Sequence, residues 1–174
     1  MALRTAGGLT INQTTNFAGY YGSFYSSTTQ SDGTNTPTAL YCENTAESDG
    51  VSMAVNAGGK KSRMTFANAG TYNIQFSAQV YHPGGGGAGD NLNIWFRLNG
   101  TDIANSDTRV TVTSSSKYVV AAWNFIVTVT AGQYVEMIFA TDNANIQFLA
   151  EAAQTSPYAH PAIPSIIMTA QQIR

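Results

Sequence analysis

Ten consecutive residues, Thr71–Val80, alternate strictly between apolar and polar, and the polar ones carry no charge. Tyr72, Ile74, Phe76, Ala78 and Val80 fall on one side; Thr71, Asn73, Gln75, Ser77 and Gln79 fall on the other. A period of two over that length describes a β-strand with one buried face, because successive side chains point to opposite faces of a sheet. The pattern then recurs. Leu92, Ile94, Phe96 and Leu98 alternate with Asn93, Trp95 and Arg97, and Asn99-Gly100 follows as a strong hairpin signal. Val110 and Val112 share a face within Thr108–Thr113. In Tyr118–Thr130, Ala121, Trp123, Phe125, Val127 and Val129 share a face. Ala131-Gly132 turns that run into Tyr134–Ala140, and Asp142-Asn143 turns again into Asn145–Leu149. Ser165–Ala170 is the last apolar run. Before residue 70 the alternation is weaker, and Tyr20–Tyr25, Ala39–Glu43, Val51–Val55 and Arg63–Phe66 read as short strands. Many short strands separated by turn residues predict an all-β sandwich of eight to ten antiparallel strands.

The chain of 174 residues is long enough to bury about two thirds of its extended surface in one core. Charged residues make up only 10%, while Thr, Ser, Asn and Gln supply 58 of the 174. That composition excludes a coiled coil, and an apolar content of 43% excludes a charge-rich disordered chain. The net charge is −2, and the densest basic cluster is Lys60, Lys61 and Arg63. Gripping nucleic acid takes several cations set against phosphates, so nucleic acid is not an expected partner. Weak net repulsion is compatible with self-assembly. A single cysteine, Cys42, cannot form an internal disulfide. No apolar run is long enough for a membrane helix or a signal peptide. Residues 1–16, rich in Gly, Thr and Asn, read as an N-terminal arm, and residues 17–174 as the folded domain.

The residues that carry chemistry are sparse. Nucleophilic hydrolysis needs a Ser or Cys beside a His that a carboxylate orients. Only His82 and His160 are available, no Gly-x-Ser-x-Gly elbow occurs, and both histidines read as surface loop residues. Glu136 and Glu151 lie in or beside late strands, but nothing in the sequence pairs them for glycoside hydrolysis. The glycine run from Pro83 to Gly89 lacks the Gly-Lys-Ser/Thr ending and the following helix of a phosphate loop. Asp90, Asp102 and Asp107 do not form a calcium loop, and no Cys/His spacing suits zinc. The expectation is a non-enzyme without cofactor or metal. Tyr20, Tyr21, Phe24 and Tyr25 cluster near the start, and Trp95 stands on the otherwise polar side of its strand. These five are the interface candidates, since aromatics are enriched and charges depleted in interface cores. For Trp95, packing inside the sandwich is the competing reading.

The order and spacing of several segments carry a resemblance. They are Phe66-x-x-Ala69-Gly70-x-Tyr72, Leu98-Asn99-Gly100, Phe125-x-Val127-x-Val129-x-Ala131-Gly132-x-Tyr134-Val135, and the run around Ile166-Ile167-Met168. Together they resemble the jelly-roll domains of the tumour necrosis factor and complement globular-head superfamily, in the versions found in bacteriophage virion proteins, especially of cyanobacterial phages. The resemblance implies a two-sheet jelly roll that assembles as a homotrimer. It implies a virion structural protein. Taken with the low charge, the single domain and a short arm able to fold on a shell, the expectation is a capsid decoration (cement) protein, made in the host cytoplasm and placed on the capsid surface, with the major capsid protein as partner. A tail-fibre or appendage head that binds host-surface glycan is the alternative it leaves open.

Overall fold

The computed structural model describes residues 19–31, 33–84, 89–113 and 117–174. The arm at 1–16 and the middle of the glycine run, 85–88, lie outside the described residues. Among those described, thirteen strands form and no helix, so no helix is long and apolar enough to cross a membrane. The strands are β1 (Tyr21–Ser26), β2 (Thr38–Ala39), β3 (Asn44–Asp49), β4 (Val51–Val55), β5 (Lys61–Phe66), β6 (Gly70–Tyr81) and β7 (Asp90–Leu98). They continue with β8 (Thr101–Asp102), β9 (Thr108–Val112), β10 (Tyr118–Val129), β11 (Tyr134–Thr141), β12 (Gln147–Phe148) and β13 (Ile166–Gln172). Three have only two residues, which leaves ten longer strands.

Two antiparallel sheets face each other. The first runs β10-β6-β13-β1-β3, with β12 extending the β13 side of β6. The second runs β4-β5-β11-β7-β8, with β2 beside β11 and β9 beside β7. The chain crosses between sheets at successive long strands: β5 in the second, β6 in the first, β7 in the second, β10 in the first, β11 in the second and β13 in the first. This is a jelly-roll-like sandwich.

The alternating residues of β6 all point inward and are buried, as period two requires. They meet Leu92, Ile94 and Phe96 of β7 and Val135, Met137 and Phe139 of β11 from the opposite sheet. Aromatic rings tie the layers together. Phe96 on the second sheet packs edge-on to Phe76 at 6.2 Å and stacks on Phe125 at 5.0 Å, both on the first sheet. Trp123 packs edge-on to Phe76 at 4.4 Å but stays half-buried, because β10 is an edge strand. The Asn99-Gly100 turn has positive φ at both residues (49° and 83°), the geometry that matches a tight hairpin to the twist of its strands. At Gly50 the chain passes from β3 in the first sheet to β4 in the second with φ at 68°, and a side chain there would strike the Tyr20 ring.

Several sequence expectations need correction. Ala39–Glu43 is a strand only at its start. Leu40 and Cys42 are fully buried, but their amides bond Met137 and Lys61 carbonyls singly rather than in a continued ladder. Asn145–Leu149 shortens to Gln147–Phe148. Asn44–Asp49, not foreseen as a strand, pairs with β1 across a bulge. Burial, with the neighbouring Glu43 charge, pushes the Cys42 thiol well above the ordinary range, so it packs as a small apolar side chain.

Candidate functional site

The outward face formed by β6, β10 and β13 of the first sheet contrasts with that of the second sheet. Strands β6, β10 and β13 contain no charged residue at all. On their outer side, Val120 is 58% exposed, Ile126 56% and Ile167 40%. The registers that place Val120 opposite Gln79, Ile126 opposite Asn73 and Ile167 opposite Ser77 put these apolar side chains among uncharged amides and hydroxyls. At one end Tyr118 stacks obliquely on Tyr81, with ring centres 4.9 Å apart. The inward-facing Trp123 and Phe125 are not fully covered, so the β10 edge beside this face is also partly apolar.

The second sheet carries charge outward. Glu136 on β11 is buried, accepts a hydrogen bond from Ser62 Oγ at 3.0 Å, and lies 3.6 Å from Arg63 Nε. The Arg63 guanidinium covers the Tyr134 ring at 4.6 Å. Further along the same face a groove of about 640 Å³ opens across β7. Its floor is Asn91, Asn93 and Trp95, one wall is the β8–β9 segment from Asp102 to Arg109, and the other holds Asn35, Pro37 and Asp142.

Local geometry sets this groove. Odd-numbered residues of β7 point outward because Leu92, Ile94 and Phe96 point into the core. The two-residue turn at Asn99-Gly100 folds Asp102 back opposite Arg97. Asp102 Oδ1 then accepts hydrogen bonds from Trp95 Nε1 at 2.7 Å and from Arg97 Nε at 2.6 Å. Asn93 donates to Asp107 Oδ2 at 2.7 Å. Asp142 accepts from the Asn91 amide and side chain at 2.7 and 2.8 Å. The hydrogen bonds from Arg97 and Trp95 hold the Asp102 carboxyl below its ordinary range. A depressed carboxyl keeps its interaction at every pH above the ordinary range and loses it only as pH falls through the depressed value. The indole N–H resonance of Trp95 should therefore stay fixed from neutral pH down through the ordinary carboxylate range and move only below it. A shift that tracks an ordinary aspartate titration would break the assignment of Asp102 as the indole's acceptor.

The five aromatic candidates are not one patch. Phe24 is fully buried between the sheets and belongs to the core, so it cannot meet a partner. Tyr20 is half-buried and packs on the core beside Gly50. Tyr21, 41% exposed, and the half-buried Tyr25 point outward from β1 in the first sheet. Trp95 is neither in the core nor near them; it lies half-buried on the outer side of the second sheet.

The polar candidates are also dispersed. His82, read from sequence as a surface residue, is fully buried. Gly84 N–H donates to its Nδ1 at 3.0 Å, so Nε2 carries the proton that Asp90 Oδ2 accepts at 2.6 Å. Asn143 Nδ2 donates to the same Asp90 oxygen at 2.8 Å. This network fastens the end of β6 to the start of β7 and to the turn after β11. His160 is in an exposed loop against Tyr158, with its Nδ1 2.8 Å from the Pro161 carbonyl. Glu151 sits in the segment between β12 and β13, where its backbone pairs with Ile163, whereas Glu136 is on β11. Among the described residues no three His, Cys, Asp or Glu side chains converge as metal ligands. Sequence reasoning missed the groove, although Asn99-Gly100 held the signal: a two-residue turn there returns Asp102 to Trp95 and Arg97. The opposite wall, Asn35 and Pro37, has no local signal, because a parallel bridge from Thr34 to Thr141 and the pairing of β2 with β11 bring it in. Comparison with protein-family models and with curated proteins found no match.

Proposed function

We propose that the protein is a virion structural component, a capsid decoration protein that works as a homotrimer built on the outer face of its first sheet. The observation that supports this is the three-strand face of β6, β10 and β13, without a single charge and with Val120, Ile126 and Ile167 exposed. A surface depleted of charge with exposed aliphatic side chains suits the core of an interface. Burying uncharged amides and hydroxyls beside it requires hydrogen bonds but no desolvation of ions. The partly open apolar edge at Trp123 and Phe125 is a different surface from the face, so edge-on-face contact is head-to-tail, and such contacts form closed rings when the rotation allows. The resemblance of the sequence to phage jelly-roll proteins supplies the number three and the virion, and the low charge and short N-terminal arm favour the capsid.

A homotrimer should be seen by light scattering at micromolar concentration. Ile126→Glu places a carboxylate on this face, on its β10 strand, and should shift the protein to monomer while its strand-rich spectrum is kept. In virions the chain should be present in hundreds of copies per particle. A wild-type protein that stays monomeric at high micromolar concentration overturns the trimer, and a few dozen copies or fewer per particle overturns decoration.

A further inference from the structure

The groove on the second sheet lies on the opposite side of the sandwich from the proposed assembly face, and nothing in that assembly uses it. We propose that it is a binding site for a neutral glycan, with a pyranose ring set against Trp95.

Its size falls within the range of small-ligand sites, roughly 300–1,000 Å³. Its floor combines one indole with two amides, Asn91 and Asn93, on the same strand. A pyranose has an apolar C–H face and a rim of hydroxyls. The first suits an aromatic ring, and the second suits carboxylates and amides set around it. Here the rim groups are Asp102 and Asp107 on one wall and Asn35 and Asp142 on the other.

The groups are held in place before any ligand arrives. Trp95 is tied to Asp102, Asn93 to Asp107, and Asn91 to both Asp142 and Thr111. Side chains already fixed lose little freedom on binding, which favours affinity for a small, heavily hydrated ligand. Acceptors remain. Among the described residues Asp102 Oδ1 takes both of that carboxylate's hydrogen bonds and Asp107 Oδ2 takes its one, so each keeps the other oxygen for a hydroxyl. Arg109, in the same wall, has no ion-pair partner among the described residues and supplies donors.

Charge selects the class of sugar. Three aspartates and one arginine line the groove, with Arg97 beside Asp102. An acidic sugar, a phosphate or a nucleic-acid backbone would meet net repulsion there. A neutral hexose or N-acetylhexosamine would not.

The test is an array of neutral and acidic oligosaccharides, followed by titration of the best neutral one against the full chain. Trp123→Phe leaves Trp95 as the sole indole reporter. Saturable binding with a shift of the Trp95 indole resonance is expected. Asp107→Ala, at an exposed position, and Trp95→Ala should each weaken it roughly tenfold or more, equivalent to about 1.4 kcal/mol. Ile126→Glu on the far face should leave it unchanged. That last variant separates this site from the trimer, since either can fail without the other. If Trp95→Ala does not fold, Asp107→Ala with the indole resonance decides alone. The proposal is overturned by no saturable binding of any neutral glycan at millimolar concentration. Preference for acidic sugars, or binding that survives both variants, also overturns it. So does loss of capsid attachment in these variants without any glycan binding, which would make the groove a protein contact.

Discussion

Phe96→Ala should lower the unfolding free energy by about 3–5 kcal/mol. Phe96 is fully buried near the end of β7 and touches aromatic rings of two strands in the opposite sheet, Phe76 on β6 and Phe125 on β10. Truncation removes the ring from water-free surroundings and leaves a space that its flanks cannot close, because the β11 ladder holds one side and hydrogen bonds with Ser106 and Ile103 hold the other. Phe76 and Phe125 lose a ring partner together, so the cost should fall in the upper half of the range. For a domain of this length it corresponds to a fall in melting temperature of roughly 10 °C, read at fixed protein concentration because assembly also contributes. A loss under about 1 kcal/mol would mean that the sheets slide to fill the space and that the described layer packing is wrong.

Asp90→Ala should be the second large loss, about 2–3 kcal/mol, chiefly from the buried His82 donor it orphans. His82 Nε2 is fully buried, so without Asp90 its proton has no acceptor, and Asn143 Nδ2 loses its partner at the same carboxylate oxygen. Asp90→Asn keeps an oxygen at the site and should recover part of the loss. Denaturant unfolding of the three proteins gives the comparison. Equal stability of Asp90→Ala and the parent would show that the dyad does not hold β6 to β7.

The long strands were legible because each has one face in the core and one outside, which writes period two into the sequence. Thr71–Val80 and Tyr118–Thr130 are such cases, and β6 and β10 match them to within a residue or two. Asn44–Asp49 was illegible for the opposite reason. It is an edge strand with almost every residue exposed, and only its pairing with β1 makes it a strand. Leu40 and Cys42 misled because burial alternates there without a continued ladder. His82 misled because its neighbours, Pro83 and Gly84, read as surface turn, whereas the acceptor that permits its burial is eight residues away on the next strand. Trp95 stood out on a polar face, but the groove around it depends on Asn35, Pro37 and Asp142, which only the folded sheet brings near.

The pairing of β13 with both β6 and β1 has a consequence for how the chain is made. β13 fills the middle of the first sheet yet leaves the ribosome after every other strand described. Until then, β1 and β6 have no strand between them, and their backbone donors and acceptors along that gap stay open. Topologies dominated by such distant partners fold slowly. During synthesis the unfilled slot is a template for strands of neighbouring nascent chains, and it is widest for chains released before Ile166. Truncation there should therefore yield insoluble protein rather than a smaller soluble domain.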